Sequence, residues 1–308
     1  MKLIDLHCDT IDLIVDSNKN LRENDLTVDI QKLKKADSLV QTFALFVDKN
    51  SVKSPYKRCI NMYKKFNFEM ENDEISLLTK YCQIKENYNK NIISALLSIE
   101  EGAVFEGDIK KVQEFYDLGV RITTLTWNYE NEISYPNGYD RGLKEFGFEV
   151  VDKMNELGMI IDVSHLSDKG FYDVYENSKK PFIATHSNAR EITNHKRNLT
   201  DDMIKKLSEV GGVTGINFCK FFLTENENIL DSKIDFMIDH IKHIKNVGGI
   251  DVLSIGSDFD GIPNKVEIED ISQMDKLYSR LKKEEFTEDE IEKIFYKNSL
   301  RVLKDVLK

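Results

Sequence analysis

Three short motifs set imidazoles and carboxylates at the ends of apolar runs: Asp5-Leu6-His7-Cys8-Asp9, Ile161-Asp162-Val163-Ser164-His165 and Ala184-Thr185-His186-Ser187. Side chains of an extended strand alternate faces, so His7 and Asp9 point one way and Cys8 the other. Imidazole and carboxylate are typical zinc ligands, and a His-x-Asp pair on one face delivers both at a fixed separation; taken alone, the pair serves equally as a buried ion pair. A further run, Leu97-Ser98-Ile99-Glu100-Glu101-Gly102, ends in a carboxylate whose uncompensated burial costs on the order of 3 kcal/mol or more, so Glu100 needs a cation. A lone strand-end histidine is more often held by a carbonyl or a carboxylate than by a metal. Three of them, together with Asp9 and Glu100, form a ligand set. Five ligands are too many for one tetrahedral zinc and suit two metals sharing a bridging carboxylate, for which Glu100 is the natural choice. Two cations about 3.5 to 4 Å apart would lower the pKa of a shared water, supply hydroxide near neutral pH and stabilise the oxyanion formed on an amide carbonyl. The implied reaction is hydrolysis.

Other polar residues are weaker signals. Gly256-Ser257-Asp258-Phe259-Asp260-Gly261 puts Asp258 at a strand end, where it either handles a proton or caps a turn, and Asp260 in the turn itself. His240 and His243, three apart on a helical segment, could bind a metal but are read as surface polarity. His195, in the loop Asn194-His195-Lys196-Arg197-Asn198, is read as exposed.

The elements that must position these groups follow from hydrophobic patterning. Short apolar, β-branched runs at residues 3–7, 39–47, 92–100, 119–127, 159–165, 182–187, 212–217 and 252–258 predict eight strands, separated by charged helix-period segments long enough for parallel crossovers. The expected fold is therefore α/β, a (β/α)8 TIM-like barrel with additional peripheral helices, and the five candidate ligands and Asp258 fall at or just beyond the C-terminal ends of strands, where such barrels place their active sites. Thr287-Glu288-Asp289-Glu290 predicts a capping box, Thr200 an N-cap, and Gly119, Gly158 and Gly211-Gly212 mark helix ends. Residues 49–90 carry no confident strand and are expected to be helices on the barrel exterior. With no linker, repeat or low-complexity tract, residues 1–308 are read as a single barrel domain.

Several of these motifs together resemble the membrane (renal) dipeptidases over nearly the whole chain. They are His7-Cys8-Asp9, Ile99-Glu100-Glu101-Gly102, Asp162-Val163-Ser164-His165, Thr185-His186-Ser187-Asn188-Ala189-Arg190, Arg197-Asn198, Ser257-Asp258-Phe259-Asp260-Gly261 and Asn298-Ser299-Leu300-Arg301-Val302-Leu303. The resemblance implies a dipeptidase with two Zn2+ ions, other divalent metals being open. His7 and Asp9 would hold one ion, His165 and His186 the other, with Glu100 bridging. It also implies that Arg197 grips the terminal carboxylate of a small dipeptide, for which a guanidinium fork is suited, and that Asp258 meets the free amine or returns a proton to the leaving group. Acceptance of a D-residue at the C-terminal position is part of the expectation. One departure stands out. Animal members carry a substrate-contacting histidine after the fourth strand, where this chain has Trp127 followed by Asn128, so polarisation of the carbonyl would fall to the metals, Trp127 or Asn128.

Two other readings compete. Another barrel amidohydrolase, such as a deaminase, lactonase or cyclic-amide hydrolase, would want a second strand-one histidine or a carboxylated lysine. A metal-retaining, non-catalytic homologue is motivated by Trp127 and opposed by Glu100, Asp258 and Arg197. The formal charge of -11 argues against nucleic acid or anionic membrane as a partner. Four dispersed cysteines suit a reducing compartment, and the N-terminus lacks a signal-peptide core, so a cytoplasmic protein without a membrane anchor is expected, with a homodimer as its assembly.

Overall fold

The β-branched runs condense into strands β1 (Leu3–Asp5), β2 (Ser38–Phe46), β3 (Ile75–Leu77), β4 (Ile93–Glu100), β5 (Val120–Thr124), β6 (Ile160–Asp162), β7 (Thr214–Ile216) and β8 (Leu253–Ile255) in the computed structural model, which describes residues 1–308. All ladders are parallel, in the order β6-β5-β4-β2-β1-β8-β7. Residues 183–184 close the ring: Ile183 bridges Asp162 and Ala184 bridges Thr214, backed by Val163 N to Ile183 O at 2.8 Å and Ala184 N to Val213 O at 3.0 Å. The eight expected strands are thus the eight staves of a TIM-like barrel, and helices fill the crossovers between them.

Regular pairing stops earlier than the apolar runs suggest. β6 ends at Asp162 and β8 at Ile255, because the residues beyond them turn: His165 has φ 68° and Asp258 φ 60°, in the left-handed region. Similarly, Asp9 is not in a strand but stands just before the helix Thr10–Val15, which its carboxylate does not cap. Residues 49–90 differ from expectation too. They hold the helices Pro55–Glu69 and Cys82–Asn89, but also β3, which pairs with the first half of β4 (Ile75 with Ile93, Leu77 with Ala95) on the edge that β5 occupies further along. A three-residue strand is too short to show a period.

At the strands' N-terminal ends the barrel is filled by apolar side chains. One cluster draws Ile4, Val40, Leu96, Ile122, Ile160, Ile183 and Val213 from neighbouring staves and packs them on Val302, Leu303 and Val306 of the C-terminal helix Asn298–Val306. A larger cluster of 64 residues, including Phe43, Phe66, Phe115 and Phe182, lies between staves and outer helices. The capping box at Thr287 and the N-cap at Thr200 form as expected, and Gly119, Gly158 and Gly211 take positive φ. No helix is long and apolar enough to cross a membrane.

Candidate metal centre

Register delivers the first groups. Phe46 pairs with Glu100, Glu100 with Thr124 and Thr124 with Asp162, so the ends of four staves lie at one level. Glu100 stands in the middle of the cluster, 3% exposed, and its two oxygens face different partners. Oε2 is 3.3 Å from His7 Nε2, which is also 3.3 Å from Asp9 Oδ2. Oε1 is 3.0 Å from His165 Nε2 and 3.6 Å from His186 Nε2. Asp258 Oδ1 approaches His7 Nε2 at 3.8 Å. The structure therefore brings all five sequence-predicted ligands and Asp258 together in three overlapping triads within metal-ligating reach: His7, Asp9 and Glu100; Glu100, His165 and His186; and His7, His186 and Asp258.

The fit to cations is tested by the donor atoms themselves. Buried polar atoms normally have partners, yet His7 Nε2 and Asp9 Oδ1 have no hydrogen bond of acceptable geometry. The Nε2 atoms of His165 and His186 face one another at 3.1 Å. His165 Nδ1–H is held by Asn128 Oδ1 at 3.1 Å, and His186 Nδ1–H by Thr185 Oγ1 at 2.7 Å. The Thr185 hydroxyl is itself committed to Asp162 Oδ2, 2.7 Å away. Both Nε2 atoms then present lone pairs, which repel at that distance unless cations lie beside them. A set of three imidazoles and two carboxylates suits zinc or a similar divalent ion.

Electrostatics agree. Burial works against a charge on His7, but Glu100 and Asp9 hold it well above the usual imidazole range. Burial drives Asp9 well above the carboxylate range, whereas the imidazoles of His7 and His165 overcome burial and keep Glu100 well below it. Burial and Arg197 push His165 down to about 4, and burial with His7 keeps His186 well below its ordinary value. Two causes are at work: burial, which moves Asp9, His165 and His186 toward their neutral forms, and the attraction between Glu100 and the His7 imidazole, which favours the charged form of both.

Backbone conformation contributes as well. Glu101, His165 and Asp258 all hold positive φ as non-glycine residues, costing of order 1 kcal/mol or more each. They are pinned by bonds such as Asn137 N to His165 O at 2.7 Å and Asp258 N to His7 O at 3.2 Å. Sequence reasoning passed over Glu101, Asp162, Thr185 and Asn217. Glu101 is fully buried and accepts from Ala103 N, Asn131 Nδ2 and Trp127 N, fixing the loop after β5. Asp162 accepts from Thr124, Ser164 and Thr185. Asn217 Nδ2 donates to Asp258 Oδ2 at 2.9 Å. The available signal was polar residues clustered beside the motif histidines.

Arg197 is 6% exposed and makes no ion pair, so it is not a surface salt-bridge partner. Its guanidinium donates to Ser187 Oγ and His186 O, both at 3.3 Å, and Nε is unpartnered. Asp258 is raised to about 6 by burial, with His7 opposing. Trp127 packs edge-on against Phe46 at 4.8 Å and Tyr129 at 5.7 Å. A cavity of about 450 Å³ is lined by Asp9, Glu100, His165, Asp258, Trp127 and Asn128 among others. Two roomier surface grooves, about 670 and 820 Å³, contain no imidazole.

The remaining histidines stand apart. His240 is fully buried, contrary to a surface reading: its Nδ1 accepts from Ala189 N at 3.1 Å, anchoring the loop that leads to Arg197. His243 pairs with Asp201 at 2.6 Å. His195 is half-buried instead of exposed, because its ring packs on Phe222 at 4.8 Å.

Residues 1–308 match the family described as membrane dipeptidase (peptidase family M19). The chain is 34% identical over 241 residues to an uncharacterised protein in the pqqA 5' region of Klebsiella pneumoniae, covering 75% of this chain and 89% of that one. It is 36% identical over 224 residues to an uncharacterised dipeptidase of Schizosaccharomyces pombe, a match spanning 70% of this chain but 54% of the yeast protein. A metallo peptidase from Rhodobacter sphaeroides, solved with a phosphinate mimic of the dipeptide L-Ala-D-Ala, shares the fold with a TM-score of 0.93 at 22% identity, covering 99% of each chain. An M19 dipeptidase structure superposes equally well, at 0.93 over 100% of this chain and 99% of its own. A full-length family match on a barrel shared end to end with solved metallopeptidases makes this chain a member of the membrane dipeptidase family.

Proposed function

We propose that this protein is a dinuclear zinc dipeptidase, including among its substrates dipeptides with a C-terminal D-residue. The observation that carries the reading is the division of Glu100, one oxygen toward His7 and the other toward His165 and His186. His7 and Asp9 would hold one ion, His165 and His186 the other, with Glu100 between them. Bound there, the cations would activate water and polarise the scissile carbonyl. Arg197, buried and without a carboxylate partner, takes the substrate's terminal carboxylate, the anion its fork of donors lacks. Asp258 lies beside the centre with Oδ2 held by Asn217, leaving Oδ1 to accept and return the proton that the leaving amine needs. Asn128 orients His165 and lines the same cavity. The D-residue expectation is supported by the L-Ala-D-Ala mimic bound to the Rhodobacter relative. Four unpaired cysteines support a reducing, cytoplasmic setting.

The test is hydrolysis of L-Ala-L-Ala and L-Ala-D-Ala by zinc-reconstituted protein, before and after chelation. Turnover of both, abolished by chelator and restored by zinc, is expected. Bound zinc with no turnover of any dipeptide would contradict the reading and favour the metal-retaining, non-catalytic alternative.

A further inference from the structure

Ring order gives the cavity a direction. The staves run β1, β2, β4, β5, β6, residues 183–184, β7, β8, so the 183–184 stave and β2 stand four steps apart around a ring of eight, on opposite sides of the mouth. The Arg197 guanidinium is bonded to His186 and Ser187, at the end of the 183–184 stave. A dipeptide whose carboxylate is gripped there, and whose peptide bond lies over Glu100, must present its N-terminal residue to the β2 side. On that side stand Phe46, the last residue of β2, Asp48 just after it, and Trp127, whose indole packs edge-on against Phe46.

The chemistry of that wall is selective. Six carboxylates and no lysine line the cavity, and Arg197, held by His186 and Ser187 at its far side, stands behind the lining and not among it. Asp9, Glu100 and Asp258 face the metal centre, Asp12 is paired with Arg58 at 2.9 Å, and Asp260 is saturated by Thr10 and Thr27. Asp48 differs from all of these. It is half-buried and accepts only from Asn50 N at 3.0 Å and Ser51 Oγ at 2.6 Å, with no cation. An aromatic wall ending in an unneutralised carboxylate fits a side chain with a long apolar stem and a cationic head: the stem lies on the rings, and the head reaches both the carboxylate and the indole face.

We propose that the site selects dipeptides whose N-terminal residue is lysine or arginine, with Asp48 as the residue that determines this specificity and the Phe46–Trp127 pair as the wall for the stem. The inference rests on the dipeptidase reading, and its test separates the two. Zinc-loaded wild type and Asp48→Asn are compared on Lys-Ala, norleucine-Ala and Glu-Ala, norleucine supplying the stem without the charge. Calorimetric binding of phosphinate mimics of Lys-Ala and norleucine-Ala gives a readout independent of turnover.

Wild type should favour Lys-Ala over norleucine-Ala by about tenfold in kcat/KM and bind the lysine mimic more tightly by a similar factor, with Glu-Ala the poorest substrate. Asp48→Asn should bring the lysine-to-norleucine ratio close to one. Turnover with lysine no better than norleucine, or a ratio that Asp48→Asn leaves in place, overturns this inference and leaves the dipeptidase reading standing. No turnover of any of the three overturns both.

Discussion

The two halves of the metal centre are built on different principles. His165 and His186 are neutral ligands whose orientation is set from behind, one by Asn128 and the other by the Thr185–Asp162 relay. His7 and Asp9 form the anionic half, and there the donor atoms are left without hydrogen bonds. One half is held by its neighbours and the other by the charge it is built to receive. Orientation from outside the ligand shell sharpens geometry and raises basicity, whereas a private carboxylate supplies the attraction that keeps a cation in place. On this account the two ions differ in affinity, and a graded chelator titration should remove them in two steps, with the ion between His165 and His186 leaving first. Simultaneous loss would break the comparison.

The largest expected effect comes from removing the charge private to the anionic half. Asp9→Asn should lower kcat on the order of 10³-fold and reduce bound zinc to about one per chain, read by elemental analysis beside steady-state kinetics. Arg197→Met should reduce kcat/KM for free dipeptides about 100-fold while changing little for C-terminally amidated ones, since only the former offer the carboxylate. Thr185→Val interrupts the relay behind His186 and should weaken metal binding or activity about 10-fold to 100-fold. An equal loss in zinc affinity on both sides of Glu100 would argue against separate halves. Asn217→Ala, which frees Asp258 Oδ2, should cost about tenfold in kcat with little change in KM.

Much of this was legible before the fold was known. The barrel rests on eight apolar runs, and the five predicted ligands lie at or just beyond the ends of four of them; such runs are strong signals because a buried parallel strand tolerates little else. What escaped was whatever depends on contacts remote in sequence. His240 looks like surface polarity on a helix, and only the packing of residues 187–200 against that helix reveals a buried acceptor for Ala189 N. β3 has no pattern of its own and exists because β4 offers a free edge. Asp162 and Thr185 carry no motif signal distinguishing an orienting relay from ordinary strand-end polarity. The left-handed turns at His165 and Asp258 fall on residue types that tolerate that conformation without demanding it, so nothing in the sequence marks them.

The central claim is that Glu100 joins two cations, and zinc stoichiometry tests it most directly. Wild type and Glu100→Ala are loaded with zinc, freed of excess metal and measured per chain, with circular dichroism confirming that both remain folded. The account predicts about two zinc ions in wild type and fewer than one in Glu100→Ala, with activity lost in parallel. Two ions retained by Glu100→Ala, or a single ion in active wild type, would contradict it.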